Sequence, residues 1–236
     1  MYDKLPSDLK QNALFCLWKY EERNGKLTKV PYQVNSAHAD SANKRTFTGF
    51  GSVVNASSAY DGIGIGVFGE YSAIDIDHCV AGGKLAGLAQ DIVDIMNSYT
   101  QYSPSGTGIR VLIKTSGLAY DKKRYYINNR KLGLELYVAG MTNKFVTITG
   151  KAIRENSVEE RSAELLAVLE KYMVKPQKEQ GAKSNILGSY LSDESVITKV
   201  LASKQGEKFK ALWDGKIPDG KSHSEADQAL CAILAF

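Results

Sequence analysis

The chain of 236 residues is poor in the residues that build soft-metal and redox sites, with three cysteines and three histidines. Cys16, Cys79 and Cys231 lie far apart and form no CxxC pair, which excludes a zinc ribbon and a disulfide framework. His38, His78 and His223 are equally scattered, and no HxH or HExxH spacing appears, which argues against a zinc hydrolase and a histidine-pair nicking enzyme. No apolar run is long enough for a bilayer span. The opening Met1-Tyr2-Asp3-Lys4 lacks the basic and apolar regions of a secretion signal, so the cytoplasm is the expected compartment. What is present is ordinary for a globular chain, 43% hydrophobic and 24% charged, enough to bury a core. The net charge of +4 is compatible with a polyanionic partner.

Strand patterns are expected at residues 13–20 and Lys26–Tyr32 around the turn Glu21–Gly25, and at 62–68 and 73–77, which read together as a hairpin. Leu85, Leu88, Ile92, Ile95 and Tyr99 recur at helical spacing over Lys84–Tyr99. Strand signals return at Tyr99–Ser103, Ile109–Lys114, Leu132–Val138 and Lys144–Thr149. A helix is then expected over Val158–Tyr172, with Asn156 or Ser157 as its cap. This order predicts an α+β domain over residues 1–172, with helices on one face of a mostly antiparallel sheet. Residues 173–185, polar and containing Pro176 and Gly181, read as a linker. Residues 186–236 read as a small all-helical segment that stops in mid-pattern, so either a longer natural protein or a final helix packed against something outside this sequence is expected.

Four elements carry chemistry. In Ala73-Ile74-Asp75-Ile76-Asp77-His78, strand periodicity points Asp75 and Asp77 to one side and the isoleucines to the other. Adjacent half-buried carboxylates repel, and a hard divalent cation relieves that repulsion; the plain alternative is a solvated strand face. Ser103-Pro104-Ser105-Gly106-Thr107-Gly108-Ile109-Arg110 offers backbone amides and hydroxyls suited to phosphate, and Arg110 adds a planar fork for a triphosphate; a common hairpin turn has the same composition. Glu135, between Leu134 and Leu136, is either a surface acid or a third carboxylate. Lys144 and Thr147 lie in a threonine-rich strand ending at Gly150, whose composition also follows from β-propensity alone. Separately, Lys122, Lys123, Arg124, Tyr125 and Arg130 mix cations with rings, as single-stranded nucleic acid requires and as a solvated basic loop also shows.

In this order, the elements closely resemble the archaeo-eukaryotic primase superfamily, specifically the primase–polymerases encoded by phages and plasmids. The family's DxD strand matches Asp75 and Asp77, its Ser-x-His-like element falls at Ser105–Arg110, and its acidic strand matches Glu135. Trp18, Lys26–Tyr32, Phe145–Gly150 and Ser222–Asp227 fit the phage branch too, with Lys29 expected to bind nucleic acid. The resemblance implies an RRM-like catalytic sheet and a DNA primase or DNA polymerase activity. Mg²⁺ or Mn²⁺ would be held by Asp75, Asp77 and Glu135 as a pair of ions about 3.5–4 Å apart. Ser103, Ser105, Gly106, Thr107, Gly108, Arg110, Lys144 and Thr147 would bind the nucleotide. It further implies a single-stranded DNA template, dNTPs or NTPs as substrates, a fused or separate helicase, no membrane, and a bacterial host cell. Arg110 stands where many members place histidine, and unlike histidine it cannot serve as a base near neutral pH. Two other readings therefore stay open: a catalytically weak or inactive nucleic-acid or nucleotide-binding module, and another palm-like enzyme such as a cyclase.

Overall fold

The computed structural model describes residues 2–176 and 193–234. The chain divides into two compact units, Met1–Gln177 and Lys178–Phe236.

The first unit is α+β, and every strand-to-strand pairing in it is antiparallel. Strands β1 (Phe15–Arg23) and β2 (Lys26–Tyr32) are joined by Asn24-Gly25, both at positive φ, the two-residue turn that matches the twist of a hairpin. With β3 (Gly62–Gly66) and β11 (Phe145–Ile148) they form a four-stranded sheet in the order β11-β3-β1-β2. A six-stranded sheet runs β12-β7-β8-β4-β10-β9. Its strands are β4 (Tyr71–Ile76), β7 (Thr100–Tyr102), β8 (Ile109–Lys114), β9 (Asn128–Asn129), β10 (Leu134–Tyr137) and β12 (Ala152–Arg154). The short β5 (Val80–Ala81) and β6 (Lys84–Leu85) pair with each other across Gly82-Gly83.

The expected hairpin of residues 62–68 with 73–77 does not form, because β3 and β4 belong to different sheets. The glycines of β3 explain why. Trp18 lies over Gly62, Phe145 over Gly64 and Phe68 over Gly66, each so close that a Cβ would fall within 3 Å of a ring atom. This glycine face is covered by rings from β1, from β11 and from Phe68 just after β3, and β3 pairs with those two strands.

One face of the six-stranded sheet (Ile74, Ile76, Ile109, Val111, Leu134, Leu136) packs on α3 (Gly87–Met96) and α4 (Ser162–Val168), which continues as a wider turn over Leu169–Met173. On the other face, Tyr71, Ala73 and Leu112 pack against Phe15, Leu17, Ile63, Ile65, Val146 and Ile148 of the four-stranded sheet. Two short helices, α1 (Ser7–Asn12) and α2 (Phe50–Ala56), join this second core through Leu9 and Val53.

Both expected helices of this unit are shorter than the periodicity suggests. Lys84–Leu85 is already a strand, and α3 ends at Asn97 in the left-handed region. Asn156 does not cap α4; its side chain binds the Asn97 carbonyl and so finishes α3, while α4 starts at Ser162. The linker expected from residue 173 begins later, since Met173 is buried and its carbonyl accepts from the Tyr126 amide; residues 177–185 lie outside the described residues.

The second unit has α5 (Asp193–Leu201), α6 (Gly206–Trp213) and α7 (His223–Leu234) around Phe209, Leu212 and Ile233. The Ser222 amide donates to Glu225 Oε2 at 2.9 Å and the Glu225 amide to Ser222 Oγ at 3.3 Å, a capping box that fixes the start of α7. Among the described residues, no helix is long and apolar enough to cross a membrane.

Gly64→Ala should lower stability by about 1–3 kcal/mol, because its Cβ would sit 2.9 Å from both the Phe145 ring and the Val146 carbonyl oxygen. Urea denaturation measures this, and an unchanged midpoint would contradict the tight glycine face.

Candidate active site

Strand register assembles one polar row. Asn128 on β9 lies opposite Glu135 on β10, Glu135 opposite Asp75 on β4, Asp75 opposite Arg110 on β8, and Arg110 opposite Gln101 on β7. Since directly opposed residues project from the same face, five strands contribute one polar side chain each. Asp77 follows two residues after Asp75, just past the end of β4, where its amide still bonds the Gly133 carbonyl at 2.8 Å.

Arg110 and Asp75 form the buried centre of this row, with side chains only 5% and 8% exposed. Arg110 Nε faces Asp75 Oδ1 at 3.2 Å, off the hydrogen-bonding axis, so this is an ion contact and leaves both atoms without a hydrogen bond. Nη2 donates to Asp75 Oδ2 at 3.4 Å. Nη1 donates to the Thr147 carbonyl at 3.2 Å and to the Thr147 hydroxyl. Gln101 Nε2 donates to the same carbonyl at 3.1 Å. Because β11 is the edge strand of the four-stranded sheet, these bonds fasten that edge to the six-stranded sheet.

Around this centre lies a cavity of about 450 Å³, walled by Asp75, Asp77, Arg110, Glu135 and Tyr137 from one sheet and by Lys29, Pro31, Phe145 and Thr147 from the other, with Ser41, Asn143 and Lys144 completing it. Tyr137 Oη lies 3.2 Å from Asp75 Oδ2 and 3.3 Å from Glu135 Oε2. Burial first, then these two carboxylates, push its phenol well above the usual range. Lys144 Nζ pairs with Glu135 Oε1 at 3.2 Å. Burial and the neighbouring Asp75 raise the Asp77 carboxyl. Burial, then Arg110, lower the Lys29 ammonium, opposed by Asp75 and Asp77.

The structure therefore brings Asp75, Asp77, Glu135, Arg110, Lys144, Thr147 and Lys29 to one cavity. Their hard oxygen donors suit Mg²⁺ or Mn²⁺. Among the described residues, however, no three acidic, histidine or cysteine side chains are already gathered as a metal cage.

Other expected residues lie elsewhere. The cavity wall includes none of residues 103–108. Within that loop the Ser103, Ser105 and Thr107 hydroxyls link at 3.0 Å each, and the amides of Gly106, Thr107 and Gly108 bond Ser103 or Ser105. The expected phosphate cradle is thus closed on itself. Gly108 backs onto β4, where a Cβ would lie 2.6 Å from the Ile76 carbonyl oxygen, so the loop buttresses the strand beside Asp77. The Arg110 fork expected for a triphosphate points inward to Asp75 and Thr147.

In the basic segment, Tyr125 is 5% exposed with its ring in the core, which removes it as a stacking surface for bases. Arg124 pairs with Glu170 at 2.7 Å, while Lys122, Lys123 and Arg130 are exposed. Tyr137 and Gln101 were not singled out from the sequence. The parity of Tyr137 with Glu135 was a usable signal, whereas the place of Gln101 emerges only from strand register.

No family model matches the chain. A curated relative, the DNA primase-polymerase of Nitratiruptor phage NrS-1, is 24% identical over 238 residues, covering 97% of this chain and 30% of that protein. The likeness supports a primase–polymerase relationship, and the chain spans about 30% of that relative's length.

Removing one partner of a buried ion pair leaves an uncompensated charge and costs about 3–5 kcal/mol. Arg110→Met should approach that loss, and the double variant with Asp75→Leu should recover part of it in a thermodynamic cycle read by denaturation. Fully additive losses would mean that the two side chains are not coupled.

Proposed function

We propose that the cleft performs metal-dependent, template-directed nucleotidyl transfer, as a DNA primase or DNA polymerase of a mobile element. The carrying observation is the meeting of Asp75, Asp77 and Glu135 with Lys29 and Lys144 in one cavity at a junction of two sheets. The likeness to a phage primase-polymerase over 97% of the chain supports it. Within this reading, the six-stranded sheet with α3 and α4 is the RRM-like half of an archaeo-eukaryotic primase-type domain, in the branch carried by phages and plasmids. The helices within residues 193–234 belong to a helical-bundle segment of that branch, and a helicase, fused or separate, is a working partner in the host cytoplasm.

Mg²⁺ or Mn²⁺ bound by Asp75, Asp77 and Glu135 would supply the positive charge that activates a 3′-hydroxyl and stabilises departing pyrophosphate. The protein's own groups do the rest. Arg110 fixes the carboxylate of Asp75, and Tyr137 bridges it to Glu135. Lys144 and Lys29 face the cavity as the cations available to a dNTP or NTP triphosphate, and Pro31 and Phe145 give it an apolar wall. The serine and glycine loop acts by bracing Asp77 unless its internal bonds open to phosphate. Exposed Lys122, Lys123 and Arg130 contribute charge for a single-stranded DNA template.

One observation favours a second reading, a nucleotide or single-strand binding module without turnover: Asp75 and Glu135 are already paired to Arg110 and Lys144. Incubation with a primed single-stranded template, labelled dNTPs or NTPs, and Mg²⁺ or Mn²⁺ separates the two. Elongated product is expected. Asp77→Ala, at an exposed position, should reduce it by about 10²-fold or more with an unchanged melting temperature. Template binding with no incorporation by the unaltered protein would favour the second reading, and full activity in Asp77→Ala would remove Asp77 from the site.

A further inference from the structure

We propose that Lys144 is an exchangeable counter-ion: in the free protein it occupies Glu135 in place of a divalent ion, and an arriving triphosphate draws it away, so that ion and nucleotide bind cooperatively. This rests on the nucleotidyl-transfer reading and deepens it.

Three acids and three bases line the cavity, so its wall is electrically neutral before any ligand enters. The two ion pairs within it differ in kind. Arg110 and Asp75 are almost fully enclosed, and Arg110 is also tied to Thr147. Such a pair is costly to part, because separation leaves a buried charge. The Lys144 side chain is 48% exposed and Glu135 is 21% exposed. A partly exposed pair of this sort contributes less than an enclosed one and costs less to part. Lys144 Nζ also lies 5.7 Å from the centre of the Tyr137 ring, an aromatic face beside which the ammonium can swing without losing all its stabilisation.

A divalent ion entering alone must compete with Lys144 for Glu135 and adds two charges to a neutral cavity. A triphosphate entering alone faces the like charge of the Asp77 carboxylate. Together they solve both problems: Lys144 turns from Glu135 to the phosphates, Glu135 becomes free for the ion, and the added charges offset one another. Linkage makes the effect reciprocal, so each ligand tightens the other by the same factor.

The test is Mn²⁺ binding by the full chain, followed by paramagnetic relaxation with and without a non-hydrolysable nucleoside triphosphate, corrected for Mn²⁺ held by free nucleotide. Nucleotide should tighten Mn²⁺ binding roughly 5–150-fold, the usual range of coupling between sites. Lys144→Met should bind Mn²⁺ alone more tightly than the unaltered protein, bind nucleotide more weakly, and show less coupling; Lys144→Arg should keep the coupling. Both variants alter an exposed side chain, and their melting temperatures verify folding. Equal Mn²⁺ affinity with and without nucleotide in the unaltered protein would overturn the proposal, as would unchanged metal-only binding in Lys144→Met. If that failure is accompanied by normal strand extension, only the coupling falls. If neither Mn²⁺ nor nucleotide binds, the nucleotidyl-transfer reading falls with it.

Discussion

The contact between Arg110 and Asp75 is the constraint around which the site is organised. It places a carboxylate in a nearly dry position at the meeting of two sheets, where an unpaired charge would be untenable. The same guanidinium holds the edge of the four-stranded sheet through Thr147, and Gln101 adds a second bond to that carbonyl. One side chain therefore sets both the ionic state of the cleft floor and the closeness of its two walls. Tyr137 and Glu135 are arranged against the same carboxylate, so the neighbouring strand inherits its geometry from this pair.

The location of the cleft follows from how each sheet distributes its two faces. The six-stranded sheet gives one face to α3 and α4 and divides the other between an apolar stretch at Ala73 and Leu112 and the polar row at Asp75 and Arg110. The four-stranded sheet covers the apolar stretch with Phe15, Leu17, Ile63 and Ile65. Its opposite face, with the β3 glycines beneath Trp18 and Phe145, contributes Lys29, Pro31 and Phe145 to the cavity. Where apolar packing between the sheets ends, the polar cavity begins.

Much of this was readable in the sequence wherever a two-residue period decides the outcome. Lys26–Tyr32 and Ile109–Lys114 are strands at the expected bounds, and Asp75, Asp77 and Glu135 share the expected side. Pairing between distant strands was not readable. Glycine alternation next to a turn suggested a hairpin, but two of the three rings that cover those glycines come from residues 18 and 145, far along the chain. The same blindness affected charged groups. Arg110 looked like a free phosphate fork because its partner across the ladder, Asp75, is 35 positions away. Tyr125 looked like a stacking surface because its neighbours are basic, yet its ring lies in the core. Asn156 looked like a cap for the helix ahead and instead closes the helix behind, at Asn97.

The polar row has a consequence for how such a chain can vary in length. Side chains on a strand alternate between two environments, so parity works as a frame. One residue inserted just before Ala73, with the start of β4 held in place, would turn Ile74 and Ile76 toward the cleft and send Asp75 into the oily layer beneath α3 and α4. The same slip in β8 or β10 would strand Arg110 or Glu135 on the wrong side. Growth and shrinkage can be absorbed at a turn such as Gly82-Gly83, between two short strands that pair only with each other. Along the strands, the chemistry is written in a code with no spacing to spare.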